Sequence, residues 1–231
     1  MKLKTDIISE SELDDLCKAL LNIDQDIQDI ILFGSYVYAP SLARDIDLFV
    51  TTTKRKSIEI YCKLIADFSK NVDLIIRETC EQIEGSIAIG IKSTGCILYG
   101  NGDSLKSILN VPVITLERIQ KSLHRADDIF LSADNETDAD IKDEVYRDSF
   151  DKLFDATRLA VMAYSNREKA LLGNFCWSLP EVFRRKFDDI INALHIEYSD
   201  NGNYPKDNVV GEFKRWRNIV EQFIKDLEQN T

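Results

Sequence analysis

Three aspartates and a Gly-Ser pair hold the chemistry open to this chain. Asp45 and Asp47 lie in the run DIDLFV, where the acids alternate with apolar Ile46 and Leu48. Such alternation predicts a strand, and residues two apart on a strand leave the same face of the sheet. Upstream, the apolar run ending at Phe33 leads into Gly34 and Ser35, and nine residues separate Ser35 from Asp45. Asp73 follows Asp45 by 28 residues, again flanked by apolar residues in VDLII. Two acids on one face, opposite a turn with backbone N–H groups, suit a divalent cation and a phosphate chain.

The acid pair has no weight as a bare pattern. With 25 Asp in 231 residues, composition alone gives about 2.7 Asp-x-Asp pairs. Three occur: Asp24/Asp26, Asp45/Asp47 and Asp138/Asp140. The first falls in a polar connector and the third in an acidic run, both expected as solvated surface. Only Asp45 and Asp47 alternate with apolar residues. A strand reached through one helix commonly lies beside the strand it left, which brings Asp73 toward the pair. Carboxylates that close repel one another, by about 4 kcal/mol for a pair ~4 Å apart at an effective dielectric of about 20. One or two Mg²⁺ ions offset that repulsion and bridge the phosphates of a nucleotide. In that scheme Asp45 and Asp47 hold both ions. Asp73 ligates one of them and helps deprotonate an acceptor hydroxyl. Gly34 lets the backbone approach the phosphates without a Cβ, and Ser35 Oγ with its neighbouring amides donates to them.

The elements that position these residues follow from periodicity. Residues 8–21 read as an amphipathic helix with Ser9 or Ser11 as N-cap. Strands are expected at 28–33, 45–52, over NVDLIIRE and at 95–99. Helices are expected at 56–69 and 79–92, with a helical turn at Tyr36–Tyr38. After Asn101, Gly102 and Pro112 the character changes to helical stretches at 115–132, 140–165, 166–174, 179–195 and 208–228. Trp177 and Trp216 suit core positions there, and Ser132–Glu144 a solvated loop leading into a helix. The expected fold class is α+β: residues 1–112 form a mixed sheet with flanking helices, and residues 113–231 form an α-helical bundle.

Bulk properties exclude several classes. No run of 18 apolar residues exists, so no transmembrane helix is expected. The opening MKLKTDIISESELDD has no apolar signal region, which points to a cytoplasmic protein. The net charge of −11 divides as −5 and −6 between the two regions, which disfavours a long nucleic acid as partner. Lys54, Arg55 and Lys56 read as a solvated turn. Five widely spaced cysteines, 17, 62, 80, 96 and 176, are expected as buried reduced thiols, and with His124 and His195 they build no zinc site.

The combination of Gly34-Ser35, Asp45-Ile46-Asp47-Leu48 and Asp73 in VDLII resembles the polymerase-beta-like nucleotidyltransferases. Its nearest counterparts are the minimal nucleotidyltransferases and the kanamycin-type antibiotic nucleotidyltransferases. The resemblance spans roughly residues 8–112, and GCILYG at 95–100 is similar to the end of that domain in the minimal group. It implies that Gly34 and Ser35 bind nucleotide and that Asp45, Asp47 and Asp73 are catalytic and metal-binding. It also implies an ATP or other NTP substrate, two Mg²⁺ ions, and transfer of a nucleoside monophosphate to a hydroxyl of a small molecule or of a protein Tyr, Ser or Thr. The chain departs from the family in carrying Tyr36, Val37, Tyr38 and Ala39 where many members have a small residue, Arg and Gly. It also carries Arg44 where Ser is common. The helical region resembles the HEPN domains that accompany such enzymes in toxin–antitoxin pairs. Arg118 and His124 have the spacing of HEPN nucleases but stand in the first helix, which argues against RNase activity. The alternatives are a non-catalytic nucleotide-binding or antitoxin-type module and an aminoglycoside-type nucleotidyltransferase, its cationic acceptor drawn by Ser132–Glu144. The acceptor, the base and the oligomeric state, a homodimer included, stay open.

Overall fold

The computed structural model describes residues 10–40, 42–43, 45–68, 71–108, 114–172 and 179–230. Ser9, Arg44, Pro112, Cys176, Trp177 and the end of the expected 166–174 helix lie outside them. The fold is α+β and divides into two units. Of the described residues, those within 10–108 together with 169–172 belong to the first; 114–168 and 179–230 belong to the second.

The first unit is built on a four-stranded mixed sheet in the order β3-β2-β1-β4, formed by β1 (Ile27–Phe33), β2 (Asp45–Thr52), β3 (Asn71–Glu78) and β4 (Cys96–Tyr99). β1 runs antiparallel to β2 and to β4, while β2 and β3 are parallel. The helix α3 (Ile58–Ala66) makes the parallel crossover between β2 and β3. Alternation divides the sheet into two faces. Ile30, Leu32, Ile46, Leu48, Val50, Val72 and Ile76 pack with Leu16 and Leu20 of α1 (Glu10–Ile23) and with Tyr61 of α3. Ile31, Phe33 and Phe49 face the other way, against Ala88 and Ile91 of α4 (Gly85–Thr94) and Leu105 of α5 (Asp103–Ser107).

Several expectations change. The helix expected from residue 79 begins only at Gly85, whose φ of 73° starts the element in the left-handed region. Asp24 is not solvated but fully buried: it accepts a hydrogen bond from the Tyr61 hydroxyl and, at 3.0 Å, from the Asp26 N–H. Asp26 itself pairs with Lys56 at 3.1 Å. The cysteines are neither all buried nor all reduced. Cys62 and Cys80 are exposed free thiols and Cys17 is half-buried, whereas Cys96 is disulfide-bonded. Sequence separation is no guide to which cysteines the fold brings together.

In the second unit, α6 (Leu116–Ser132), α7 (Ala139–Leu172), α8 (Glu181–Ile190) and α9 (Val209–Gln229) share an aromatic core. Phe130 stacks on Phe213 at 4.1 Å, Phe187 lies against Phe223 at 6.1 Å, and Phe150 is fully buried among these helices. Trp216 is buried, and its Nε1–H donates to Glu212. The stretch expected at 140–165 and the described part of that expected at 166–174 are one continuous helix, which reaches Leu172. The polar Ser165-Asn166-Arg167 step contains no Gly or Pro to stop it. α8 passes at Ile191 into a π-helical segment, Ile191–Asp200, that carries His195. Its Nδ1 lies 2.7 Å from Asp151 Oδ1. None of the described helices is long and apolar enough to cross a membrane.

Candidate active site

The register of the sheet brings the three aspartates together. β2 pairs with β3 so that Asp47 stands directly opposite Asp73 and Asp45 opposite Asn71. Neighbouring strands are about 4.8 Å apart, and same-face residues along a strand are roughly 6.7 Å apart. All three carboxylates therefore crowd one edge of the face that carries Phe49 and Ile75. Asp45 and Asp47 are half-buried and Asp73 is exposed, so the cluster opens to solvent on the β3 side.

Its electrostatics follow. Burial, with the negative charges of Asp45 and then Asp73 added, pushes the Asp47 carboxyl up to about 6. Among the described residues, no three His, Cys, Asp or Glu side chains are gathered closely enough to hold a metal ion by themselves. The donor set nonetheless fits a hard cation. It is all carboxylate oxygen, the charged form of its central member is disfavoured first by burial and then by the neighbouring negative charges, and Mg²⁺ normally takes one or two carboxylates and completes its shell with water and substrate phosphate.

Gly34 is tied to the same point. In β1, Phe33 pairs with Asp47, which puts the next residue against the Asp47 side chain. A Cβ on Gly34 would stand 2.0 Å from Asp47 Oδ2, and the residue has φ +76°. Glycine is needed there for a carboxylate as well as for the turn. The Gly34 N–H is not available to a phosphate, because it donates to Thr94 Oγ1 at 3.0 Å. Thr94 Oγ–H in turn donates to Gly90 O at 2.8 Å. Thr94 is thus a positioning residue that no local pattern reveals, since its partner is 60 residues away. Ser35 opens the short helix α2 (Ser35–Tyr38), half-buried beside the turn.

The segment Tyr36–Ala39, where the sequence differs from the pattern it resembles, packs into the core. Tyr38 and Ala39 are buried, and Tyr36 and Val37 lie against the α1–α3 core. These side chains anchor the turn into the hydrophobic layer. Arg118 and His124 stand on α6, His124 exposed. Lys54 and Arg55 are exposed, and Arg55 reaches Glu81 at 3.9 Å. Most of Ser132–Glu144 is exposed and a helix starts within it at Ala139, both as expected.

No protein-family model and no curated protein matches the chain. Among solved structures, a spectinomycin adenyltransferase AAD(9) from Enterococcus faecialis, determined with ATP and spectinomycin, is similar over 93% of this chain and 100% of its own, at 14% identity and a TM-score of 0.41. A tri-AMPylated Shewanella oneidensis HEPN toxin in complex with its MNT antitoxin is similar over 55% of this chain and 98% of the matched one, at 19% identity and a TM-score of 0.35. A mutant of the toxin–antitoxin pair MntA–HpeT covers 53% and 95%, at 20% identity and a TM-score of 0.35.

Proposed function

We propose that the protein is a Mg²⁺-dependent nucleotidyltransferase that moves a nucleoside monophosphate, AMP from ATP, onto a hydroxyl and releases pyrophosphate. The observation that carries the reading is the pairing of Asp47 with Asp73 across β2 and β3, with Asp45 on the same face and Gly34 against Asp47. Asp45, Asp47 and Asp73 would hold the metal. When bound, Mg²⁺ supplies neutralisation and polarisation of the phosphate oxygens.

The chain's own groups account for the rest. The Gly34–Ser35 turn presents the Ser35 hydroxyl and the first amides of α2 to the phosphates. Asp73, the most exposed of the three acids, accepts the proton of the acceptor hydroxyl. The acceptor oxygen forms a bond to the α-phosphorus in line with the bridging oxygen that leaves, so that pyrophosphate carries off the electron pair. The acceptor is a small molecule or a Tyr, Ser or Thr of a partner protein. The resemblance of the Gly34–Asp73 motif to polymerase-beta-like enzymes supports the same reaction class.

The test is incubation with α-labelled ATP, Mg²⁺ and panels of small hydroxyl compounds and proteins. Label should transfer with wild type and be lost in Asp45→Ala/Asp47→Ala. Transfer that persists in the double variant removes the assignment. ATP binding without transfer to any acceptor would instead identify a nucleotide-binding module.

A further inference from the structure

The strand β3 leaves one edge of the sheet unpaired. It is the outer strand in the order β3-β2-β1-β4, and its eight residues, Asn71–Glu78, run along that edge. The Thr79 N–H donates to Thr52 O at 3.0 Å. In a parallel ladder the odd-numbered residues of β3 therefore direct their backbone groups to β2, and the even-numbered residues direct theirs outward. Two of the outward groups are taken from within the chain: the Glu78 N–H donates to Glu81 Oε2 at 2.9 Å, and the Ile76 carbonyl accepts from Arg77 Nη1 at 3.0 Å. Those of Val72 and Leu74, and the Ile76 N–H, have no partner among the described residues. Such an edge is a template for another strand, and proteins blunt it with Lys, Pro, a bulge or a covering element. β3 contains no Lys and no Pro, and its register with β2 is unbroken from Asn71 to Glu78.

The side chains of β3 select the strand that would pair with it. Asp73, Ile75 and Arg77 lie on one face, the face of the acid cluster. The Arg77 guanidinium reaches the carbonyl of its own neighbour, and neither Arg77 nor Asp73 has an ion-pair partner among the described residues. A second β3 laid antiparallel, with the two Ile75 residues opposite each other, sets Asp73 of each copy against Arg77 of the other. The same register puts Leu74 opposite Ile76 on the other face and joins their outward backbone groups as a hydrogen-bonded pair. Asp73 and Arg77 are then a non-hydrogen-bonded pair, the kind in which side chains come closest. The next registers that keep outward groups opposed set Asp73 against Ile75 or Thr79 and lose the ion pairs. Charge and apolar contact thus agree on one alignment.

We propose that β3 pairs antiparallel with β3 of a second copy of this chain, about Ile75, so that one sheet runs through the dimer and the partner's Arg77 stands beside Asp73. The Ile76 carbonyl exchanges its bond from Arg77 for one from the partner's Leu74 N–H, and Arg77 is released to reach the partner's Asp73. The acid cluster of each copy, open to solvent on the β3 side, then has a guanidinium from the other copy at its border. The pairing does not depend on nucleotidyl transfer.

Sedimentation equilibrium of the full chain over about 1–100 μM should show a monomer–dimer equilibrium. Asp73→Arg and Arg77→Asp each set like charges opposite one another in the dimer, and each alone should weaken association about tenfold. An equimolar mixture of the two variants should restore it, because every contact between unlike chains is again a pair of opposite charges. The double variant Asp73→Arg/Arg77→Asp should associate as wild type does. Asp73 is exposed and Arg77 half-buried, and circular dichroism of each variant checks its fold before mixing. A wild-type chain that stays monomeric, single reversals that leave association unchanged, or folded variants whose mixture stays monomeric overturns the proposal.

Discussion

Asp47 is the residue where fold and chemistry conflict most. Its folded carboxyl titrates at about 6 against an ordinary 3.8, so the folded chain holds a proton that the unfolded chain has already released. Stability of the metal-free protein therefore falls as pH rises from about 4 to about 6, and the penalty is complete above that. Asp47→Asn should raise metal-free stability at neutral pH by ~1 kcal/mol, a figure reduced for the partial exposure of the site. Urea unfolding at about pH 4 and pH 7 should show the gain only at the higher value. Gly34→Ala should act in the other direction. The added Cβ meets Asp47 Oδ2 at 2.0 Å in a left-handed backbone, a loss of about 1–3 kcal/mol that denaturant midpoints would register. The motif residues were legible because alternation and a Gly-Ser turn are local signals. Thr94 was not, because a hydroxyl sixty residues from its partner leaves no local trace. Asp24 was misread because its polar neighbours conceal a contact with Tyr61 on another helix.

At the scale of elements, β2 and β3 agree with the sequence to the residue, and β1 nearly so, because strands with one polar edge have a clear period. The shorter pieces escaped. α5 has five residues, too few to display a helical period, and it is held by the Asp29 carboxylate rather than by its own pattern. The segment 79–84 has helix-compatible residues but is outcompeted by the left-handed start at Gly85. The crossover helix offers a direct test. Tyr61→Phe removes the hydroxyl that donates to buried Asp24, and the carboxylate oxygen left behind should cost about 1–3 kcal/mol. Far-UV circular dichroism during thermal unfolding would show a lower midpoint with unchanged native signal. Thr94→Val should likewise cost about 1–3 kcal/mol by stranding the Gly34 N–H, whereas Thr94→Ser keeps both hydrogen bonds and should fall closer to wild type.

Across the whole molecule, negative charge is spread over both units, and the total is −11. A duplex DNA probe should show no retardation by the protein at about 50 mM salt, a condition that favours cationic binders. Retardation would require a basic surface. The basic cluster identified in the sequence does not provide one, since Lys56 is engaged by Asp26 and Arg55 faces Glu81. The α+β class and the change of character after the sheet were readable from periodicity. The aromatic core joining α6 to α9 was not, because amphipathic helices specify that a face is buried without specifying its partner.

The helix α4 has a property that neither of its ends has alone. Gly85 and Ala88 near its start line a cavity of about 910 Å³ in the first unit, and Thr94 at its finish clasps the Gly34 turn. Ten residues of helix form a strut about 15 Å long, too stiff for one end to shift while the other stays still. The Gly34 turn is then held not by its own contacts alone but by whatever secures the far end of that strut.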